Sequence, residues 1–336
     1  MADLHPDITR FLQTAGWAAA SIAPLTGDAS VRSYHRLRLG RHSAILMDAR
    51  TDGRTQAFAR IGQHLRSLGL SAPKLLAADH DAGLLLLEDL GDAVFPALLD
   101  RDPTQQKRLY FGAIDTLAVL ANHPPPPDLA LFDAPHMADI ARMVVDWYQP
   151  AATAKPPTGA ADFTATLRRV AEPLIAGPPV LMLRDFHAGN LIWLPRRTGP
   201  ARVGLLDFQD AMAAHPAYDL VSLLQDARRD VSPELEQAMI RRYVAATAPQ
   251  GDFAAAYAVM GAQRALRIMG IFARLSLHFA KPQYLIHLPR VYGQLQRNLC
   301  HPALAELADL CQRLVPAPTQ AILNRIESLC GTVPTP

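Results

Sequence analysis

The chain has 336 residues, of which 50% are hydrophobic and 19% charged, so it can bury a sizeable core and is not a disordered protein. At about 150 residues per domain, this length predicts two domains, or one domain with two lobes. The formal net charge is only +2, without a run of five like charges, which argues against a nucleic-acid-binding protein with its basic stripe.

Nothing in the sequence points to a membrane or a secretory route. Charged residues interrupt the first 17 positions, and no apolar window of about 18 residues follows. The three cysteines show no spacing typical of a metal site or a disulfide framework. We therefore expect a cytoplasmic protein with no membrane association, no nucleic-acid partner and no obligate protein partner.

The first hundred residues have the pattern of strands with one helix. The β-like segment 31–39, the turn at residues 40–42 and the apolar run 44–47 predict a hairpin. Apolar residues at helical spacing predict a helix over 55–68 that ends at Gly69. The unbroken run of four leucines at 84–87 is typical of a buried strand.

After Gly91 the pattern becomes mainly helical. Helices are predicted over 104–122 and 136–148, a loop over 149–159, and short strands at 180–183, 191–194 and 203–206. From Asp219 onward the chain again has helical periodicity. The sequence thus predicts an α+β protein with a small β-rich lobe over residues 1–90 and a larger, mainly helical lobe over residues 91–336.

The most informative stretch runs Leu-Arg-Asp-Phe-His-Ala-Gly-Asn over 183–190, and Leu-Leu-Asp-Phe-Gln-Asp follows over 205–210. A hairpin between Asn190 and Asp207 would fold Asp207 back beside the loop that carries Asp185 and Asn190. Asn and Asp oxygens are ligands that Mg²⁺ accepts while keeping water and phosphate oxygens in its shell. An aspartate base beside such a metal site is typical of phosphoryl transfer.

These motifs resemble the catalytic and metal-binding loops of the aminoglycoside-phosphotransferase branch of the kinase-like fold. The segment Ala-Tyr-Asp-Leu-Val-Ser-Leu-Leu over 217–224 resembles the one that follows in that branch. Residues 27–34, 45–49, 87–92 and 263–275 are similar to bacterial kinases that phosphorylate N-acetylmuramate and N-acetylglucosamine at C1 in cell-wall recycling. The resemblance covers residues 8–300 and implies a bilobal, protein-kinase-like fold that uses ATP and Mg²⁺ on a small sugar.

Carried over by position, the resemblance gives each motif residue a role. Asp185 would be the catalytic base, and Asn190 and Asp207 the magnesium ligands. His187 would brace the catalytic loop, with a direct substrate contact as the equal alternative. Asp219 would accept backbone N–H bonds from that loop. Two roles remain open for Asp210: it could contact the metal through a water molecule, or it could bind a sugar hydroxyl.

The nucleotide is expected at two places in the first ninety residues. The backbone of the segment around Glu88 and Leu90 would meet adenine, and the turn 27–30 with the Ser30 hydroxyl would cover the phosphates. The third strand, however, has Met47 where kinases place a lysine, and the helix over 55–68 contains no acid to pair with one. We expect Arg32 to take the place of that lysine, with an exposed strand residue as the equal alternative.

Three functions remain open at this point. The first is transfer of the ATP γ-phosphoryl group to the anomeric hydroxyl of N-acetylmuramate or N-acetylglucosamine. The second is phosphorylation of another acceptor such as an aminoglycoside, and the third is a nucleotide-binding pseudokinase, which the missing lysine favours. Arg264 and Arg267 weigh against a polycationic acceptor and could pair with a lactyl carboxylate, although a solvated helix face is the more frequent role of such arginines.

Overall fold

The computed structural model describes residues 5–25 and 32–334. Internal contacts divide the chain into two compact units, one formed by residues 1–120 with 188–211 and the other by residues 121–187 with 212–336. The predicted lobe boundary at residue 90 stays a prediction. Among the helices of the two described ranges, none is long and apolar enough to span a bilayer.

The first unit is built on a five-stranded antiparallel sheet in the order β1-β2-β3-β5-β4. Its strands are β1 (Ser21–Leu25), β2 (Ser33–Leu39), β3 (His42–Asp48), β4 (Leu75–Asp79) and β5 (Leu84–Glu88). Its helices are α1 (Pro6–Thr14), α2 (Thr55–Ser67), α3 (Phe95–Arg101) and α4 (Gln106–Ala121). The predicted hairpin, the helix with its end at Gly69 and the leucine strand are all present.

Both faces of the interior strand β5 are covered, which explains its unbroken apolar run. Residues Leu84–Leu87 are all buried. On one face, Leu84 and Leu86 pack with Leu37, Leu46 and the apolar residues of α1. Residues that alternate with these along β2 and β3, such as Tyr34 and Met47, therefore belong to the opposite face.

A second hairpin attaches residues 188–211 to this unit. Strands β6 (Val180–Met182), β7 (Leu191–Trp193) and β8 (Val203–Leu205) follow in the chain, and β7 pairs antiparallel with β8 as the sequence predicts. Isolated bridges join the hairpin to the preceding chain at Ser71–Gly204 and Val94–Ile192. Leu90 packs closely on Gly204 of the hairpin: a Cβ added to Gly204 would lie only 3.0 Å from Leu90 Cδ1.

The second unit is mainly helical. It contains α5 (Ala134–Ala141), α6 (Gln149–Thr153), α7 (Ala160–Leu174), α8 (Ala217–Leu224), α9 (Pro233–Thr247), α10 (Phe253–Leu277), α11 (Leu288–Leu299), α12 (Ala305–Leu314) and α13 (Gln320–Ser328). Strand β9 (Met212–Ala214) pairs antiparallel with β6. Helix α10 is largely buried, and a Cβ on its Gly270 would lie 2.3 Å from the backbone of Met143, so only glycine fits this contact.

Two sequence predictions in this unit are wrong in detail. The helix predicted over 136–148 is interrupted, because α5 ends at Ala141 and Val144–Tyr148 forms a π-helical turn. The predicted loop 149–159 begins as helix α6, since Pro150 stands in its first turn, where a missing N–H costs nothing. Apolar residues are buried in both segments, α5 and the π-helical turn.

A buried histidine before α8 predicts an acid-dependent loss of stability. His215 Nδ1 accepts the backbone N–H of Ala217, and burial lowers the pKa of His215 from 6.5 to about 4. Between these two pH values the unfolded chain binds a proton that the folded chain does not, so the free energy of unfolding falls as the pH falls. We expect a loss of about 3 kcal/mol from this group.

Thermal unfolding of wild type and His215→Asn between pH 7.5 and 4.5 checks this expectation. Asn keeps a side-chain acceptor for Ala217 but does not titrate, so its melting temperature should fall less steeply. His301, which accepts from Ala303 in a solvent-exposed hydrogen bond, provides the matched control His301→Asn. Equal slopes for wild type and His215→Asn would contradict the assignment.

Candidate active site

The β7–β8 hairpin brings Asn190 and Asp207 to the same end of two paired strands. Leu191 pairs with Leu205, and the Leu206 N–H donates to the Asn190 carbonyl over 3.0 Å. Asp207 itself adopts a left-handed backbone with φ +57°. The next residue, Phe208, is fully buried and stacks on Phe58 of α2 with ring centroids 4.6 Å apart. The buried ring of Phe208 thus anchors the loop, and the side chain of Asp207 stays 41% exposed.

Arg32 lies among three carboxylates of the same unit. Its Nε contacts Asp52, a terminal nitrogen lies 2.9 Å from Asp207 and the other lies 3.6 Å from Asp210. Burial alone would lower the pKa of Arg32, but hydrogen bonds to Asp52 and Tyr34 raise it, so the guanidinium stays charged. Arg32 is only 8% exposed in its side chain, and its contact with the nucleotide phosphates stays a prediction.

The position of the missing lysine is fully enclosed. Met47 is 1% exposed and lies opposite Tyr34 in β2 and Leu85 in β5. No acid is present in α2 to compensate a charge there. A lone ammonium at this position would be a buried, unpaired charge, which costs several kcal/mol.

Asp210 is held by Gln209 of its own loop and by arginines from a distant part of the first unit. Its carboxylate contacts Arg54, and the Gln209 side-chain amide donates to Asp210 over 3.1 Å and to Asp207 over 2.9 Å. Gln209 thereby ties the two carboxylates together. Neither of the two predicted contacts of Asp210, to metal through water or to a sugar hydroxyl, is tested by these bonds.

The predicted adenine-binding segment follows strand β5. The Glu88 carboxylate accepts from Arg197 over 2.7 Å and from the Lys74 N–H over 3.1 Å, while the Glu88 N–H donates to the Lys74 carbonyl. Both the carboxylate and the backbone N–H of Glu88 therefore make hydrogen bonds within the protein. Leu90 packs on Gly204 of the hairpin. The adenine contacts of this segment stay predictions, and Ser30 lies outside the described residues.

In the second unit, hydrogen bonds to Asp219 hold the loop that carries Asp185. The Asp219 carboxylate accepts the N–H groups of Leu183 and Arg184 over 2.5 and 2.9 Å, which confirms the role predicted for it. Burial raises the pKa of Asp219 to about 7, against the effect of these two hydrogen bonds. Arg184 has a left-handed backbone with φ +73°, so the chain turns sharply directly before Asp185.

Basic side chains of α10 lie close enough to this loop to act on it electrostatically. Arg264 is 7% exposed and acts on His187 and Asp219. Arg267 donates to the Tyr218 hydroxyl over 3.1 Å and is attracted by Asp185. The solvated face favoured for these arginines is therefore wrong. Burial also lowers the pKa of His187, so this imidazole is neutral near pH 7.

The sequence interpretation missed Asp52 and Tyr218 as neighbours of these groups. Asp52 stands in a turn of polar residues before α2, where an aspartate is ordinarily a turn residue. Tyr218 lies inside the motif 217–224, but the sequence predicts no role of its own for it. The contact of each with an arginine depends on a distant part of the chain and leaves no local signal.

The chemistry of the two side chains predicted as ligands, Asn190 and Asp207, fits a magnesium ion. Over residues 5–25 and 32–334, no three His, Cys, Asp or Glu side chains are grouped so that they could hold a metal by themselves. Magnesium does not require such a cage, because it accepts one or two protein oxygens and completes its shell with water and phosphate. Asn190 and the half-exposed Asp207 offer that number of ligands.

Comparison with known proteins places the chain among phosphotransferases. The model of a family described as "Phosphotransferase enzyme family" matches residues 21–260. The chain is 38% identical to an N-acetylmuramate/N-acetylglucosamine kinase of Caulobacter vibrioides, over 92% of this chain and 96% of that protein. It is 29% identical to the Pseudomonas aeruginosa protein of the same name, over 89% of this chain and 91% of that one.

Among solved structures, the chain is similar to a putative aminoglycoside phosphotransferase from Ralstonia eutropha. The TM-score is 0.63 at 15% identity, and the match covers 87% of this chain and 95% of that one. This likeness concerns the fold alone. It confirms the predicted α+β, kinase-like fold class.

Proposed function

Because this chain belongs to the phosphotransferase enzyme family, we propose that it is an ATP- and magnesium-dependent kinase for the anomeric hydroxyl of N-acetylmuramate and N-acetylglucosamine. The observation that carries the proposal is the similarity, over nearly the whole chain, to two curated kinases of that name. Both sugars are building blocks of the bacterial cell wall. The enzyme would therefore act in cell-wall recycling, in the cytoplasm where ATP is available.

Asp185 is the proposed catalytic base. Its carboxylate would accept a hydrogen bond from the sugar's C1 hydroxyl, orient that oxygen toward the γ-phosphorus and take the proton late in the reaction. An anomeric hydroxyl is more acidic than an ordinary alcohol, so an unmodified aspartate suffices. The support comes from the second unit itself, where Asp219 fixes the two residues directly before Asp185.

Asn190 and Asp207 are the proposed magnesium ligands. A bound magnesium ion would neutralise phosphate charge and hold the triphosphate oxygens in place. The chain's own contribution is a rigid hairpin end, fixed by the Leu206–Asn190 hydrogen bond and by the buried ring of Phe208. The backbone around Glu88 and Leu90 remains the proposed adenine contact, and Ser30 the proposed phosphate contact.

Arg264 and Arg267 are proposed to favour an acidic sugar over a cationic one. Their guanidinium groups act on His187, Asp219 and Asp185, so they raise the positive potential around the loop of the proposed base. A lactyl carboxylate would be attracted by this potential, and a polycationic aminoglycoside would be repelled. His187 would brace the loop as a neutral imidazole.

Measuring ADP release with N-acetylmuramate, N-acetylglucosamine and kanamycin tests the function. We expect turnover with the two amino sugars, and a product whose phosphorus couples to the anomeric proton in NMR. ADP release with kanamycin alone would contradict the substrate assignment. Nucleotide binding without phosphate transfer to any of the three would instead favour a pseudokinase.

A further inference from the structure

The first unit contains a largely buried ion pair that the proposed chemistry has not used. Kinases hold the α- and β-phosphates with a third-strand lysine paired to a helix glutamate, and this chain has neither at those positions. It has instead Arg32 paired with Asp52. Their side chains are 8% and 10% exposed.

This pair lies close to the position of the missing lysine. Tyr34 faces Met47 across β2 and β3, and alternate residues of a strand share a face. Arg32 occupies the next same-face position before Tyr34 and hydrogen-bonds its hydroxyl. Asp52 stands in the turn that leads from β3 into α2. The cation therefore lies directly before β2 and its carboxylate before α2, instead of in the middle of β3 and α2.

The carboxylates around Arg32 differ in accessibility. The Asp52 side chain is only 10% exposed and contacts Nε, whereas that of Asp207 is 41% exposed and lies 2.9 Å from a terminal nitrogen. A guanidinium donates in a fixed planar fork, so a partner that holds Nε also sets the direction of the other donors. The geometry makes Asp52 the fixed partner and directs the two terminal nitrogens toward Asp207 and Asp210.

We propose that Asp52 is a positioning residue for the nucleotide: it orients Arg32 so that the guanidinium donates to the phosphates held at Asp207. This inference rests on the proposed function for the identity of the nucleotide. A different reading is that the pair only stabilises the turn before α2. A lost buried partner would then lower stability and leave nucleotide affinity unchanged.

Calorimetric binding of ADP with magnesium, together with steady-state kinetics, separates these two readings. We expect Asp52→Asn to weaken nucleotide binding and raise the ATP KM about tenfold, with the sugar KM unchanged. Asp52→Glu keeps a carboxylate and should recover most of the affinity. The matched control is Asp48→Asn, because Asp48 pairs with Arg50 over 2.8 Å on the opposite face of the sheet. It should bind nucleotide like wild type.

The double variant Asp52→Asn/Arg32→Met makes the test independent of stability. If Asp52 acts through Arg32, Asp52→Asn should weaken ADP binding no further once Arg32 is replaced. Wild-type affinity in folded Asp52→Asn, or equal losses in both backgrounds, would overturn the proposal. The binding measurement needs no sugar, so a failure of the proposed substrate would appear separately, as absent turnover in wild type that still binds nucleotide.

Discussion

Replacement of Asp185 by asparagine is expected to lower turnover by about two to four powers of ten. Asn keeps the size of the side chain but cannot take the proton of the acceptor hydroxyl. Because the base acts on the sugar and not on the nucleotide, the affinity for ADP with magnesium should stay close to that of wild type. Turnover at saturating sugar and calorimetric ADP binding measure the two effects.

A control for this variant comes from the surface of the same unit. Asp230 pairs with Arg290 over 2.6 Å and its side chain is 81% exposed. Asp230→Asn should keep wild-type turnover, since exposed pairs contribute little and no catalytic role is proposed there. Near-normal turnover of Asp185→Asn would show that Asp185 is not the base and that the alignment of the motif is wrong.

Replacement of Asp207 by alanine is expected to abolish magnesium-dependent nucleotide binding. The change removes a proposed metal ligand and one carboxylate partner of Arg32. Phe208 remains buried against Phe58, so the loop should keep its anchor and the protein its fold. Calorimetric titration with ATP at saturating magnesium measures the loss.

Wild type titrated with ATP in the presence of a magnesium chelator is the reference for this experiment. Asp207→Ala with magnesium should resemble wild type without it, and its melting temperature should show that the variant is folded. Unchanged magnesium-dependent affinity would contradict the assignment of Asp207 as a ligand. Asp210→Ala, measured in the same way, would decide whether the neighbouring carboxylate reaches the metal.

Local patterns in the sequence determined most of the strands and the motif loops. The leucine run of β5 and the two short strands around 195–200 were predictable, because each depends on neighbouring residues and on one turn. The catalytic motif was recognisable for the same reason, since Asp185, His187 and Asn190 lie within one short segment. The interruption after α5 was not, because buried apolar residues have similar spacing in α- and π-helical turns.

Only the tertiary structure decided which distant residues meet. Arg264 and Arg267 had the spacing of an exposed face, yet α10 is covered by other helices and both side chains act on the loop of Asp185. Arg32 was a candidate from its position near the phosphate-covering turn, but nothing in the sequence indicated Asp52 as its partner. Periodicity reports which residues share one face of an element. The pairing of two charges depends instead on the order of the strands and the path of the chain between them, which no short segment encodes.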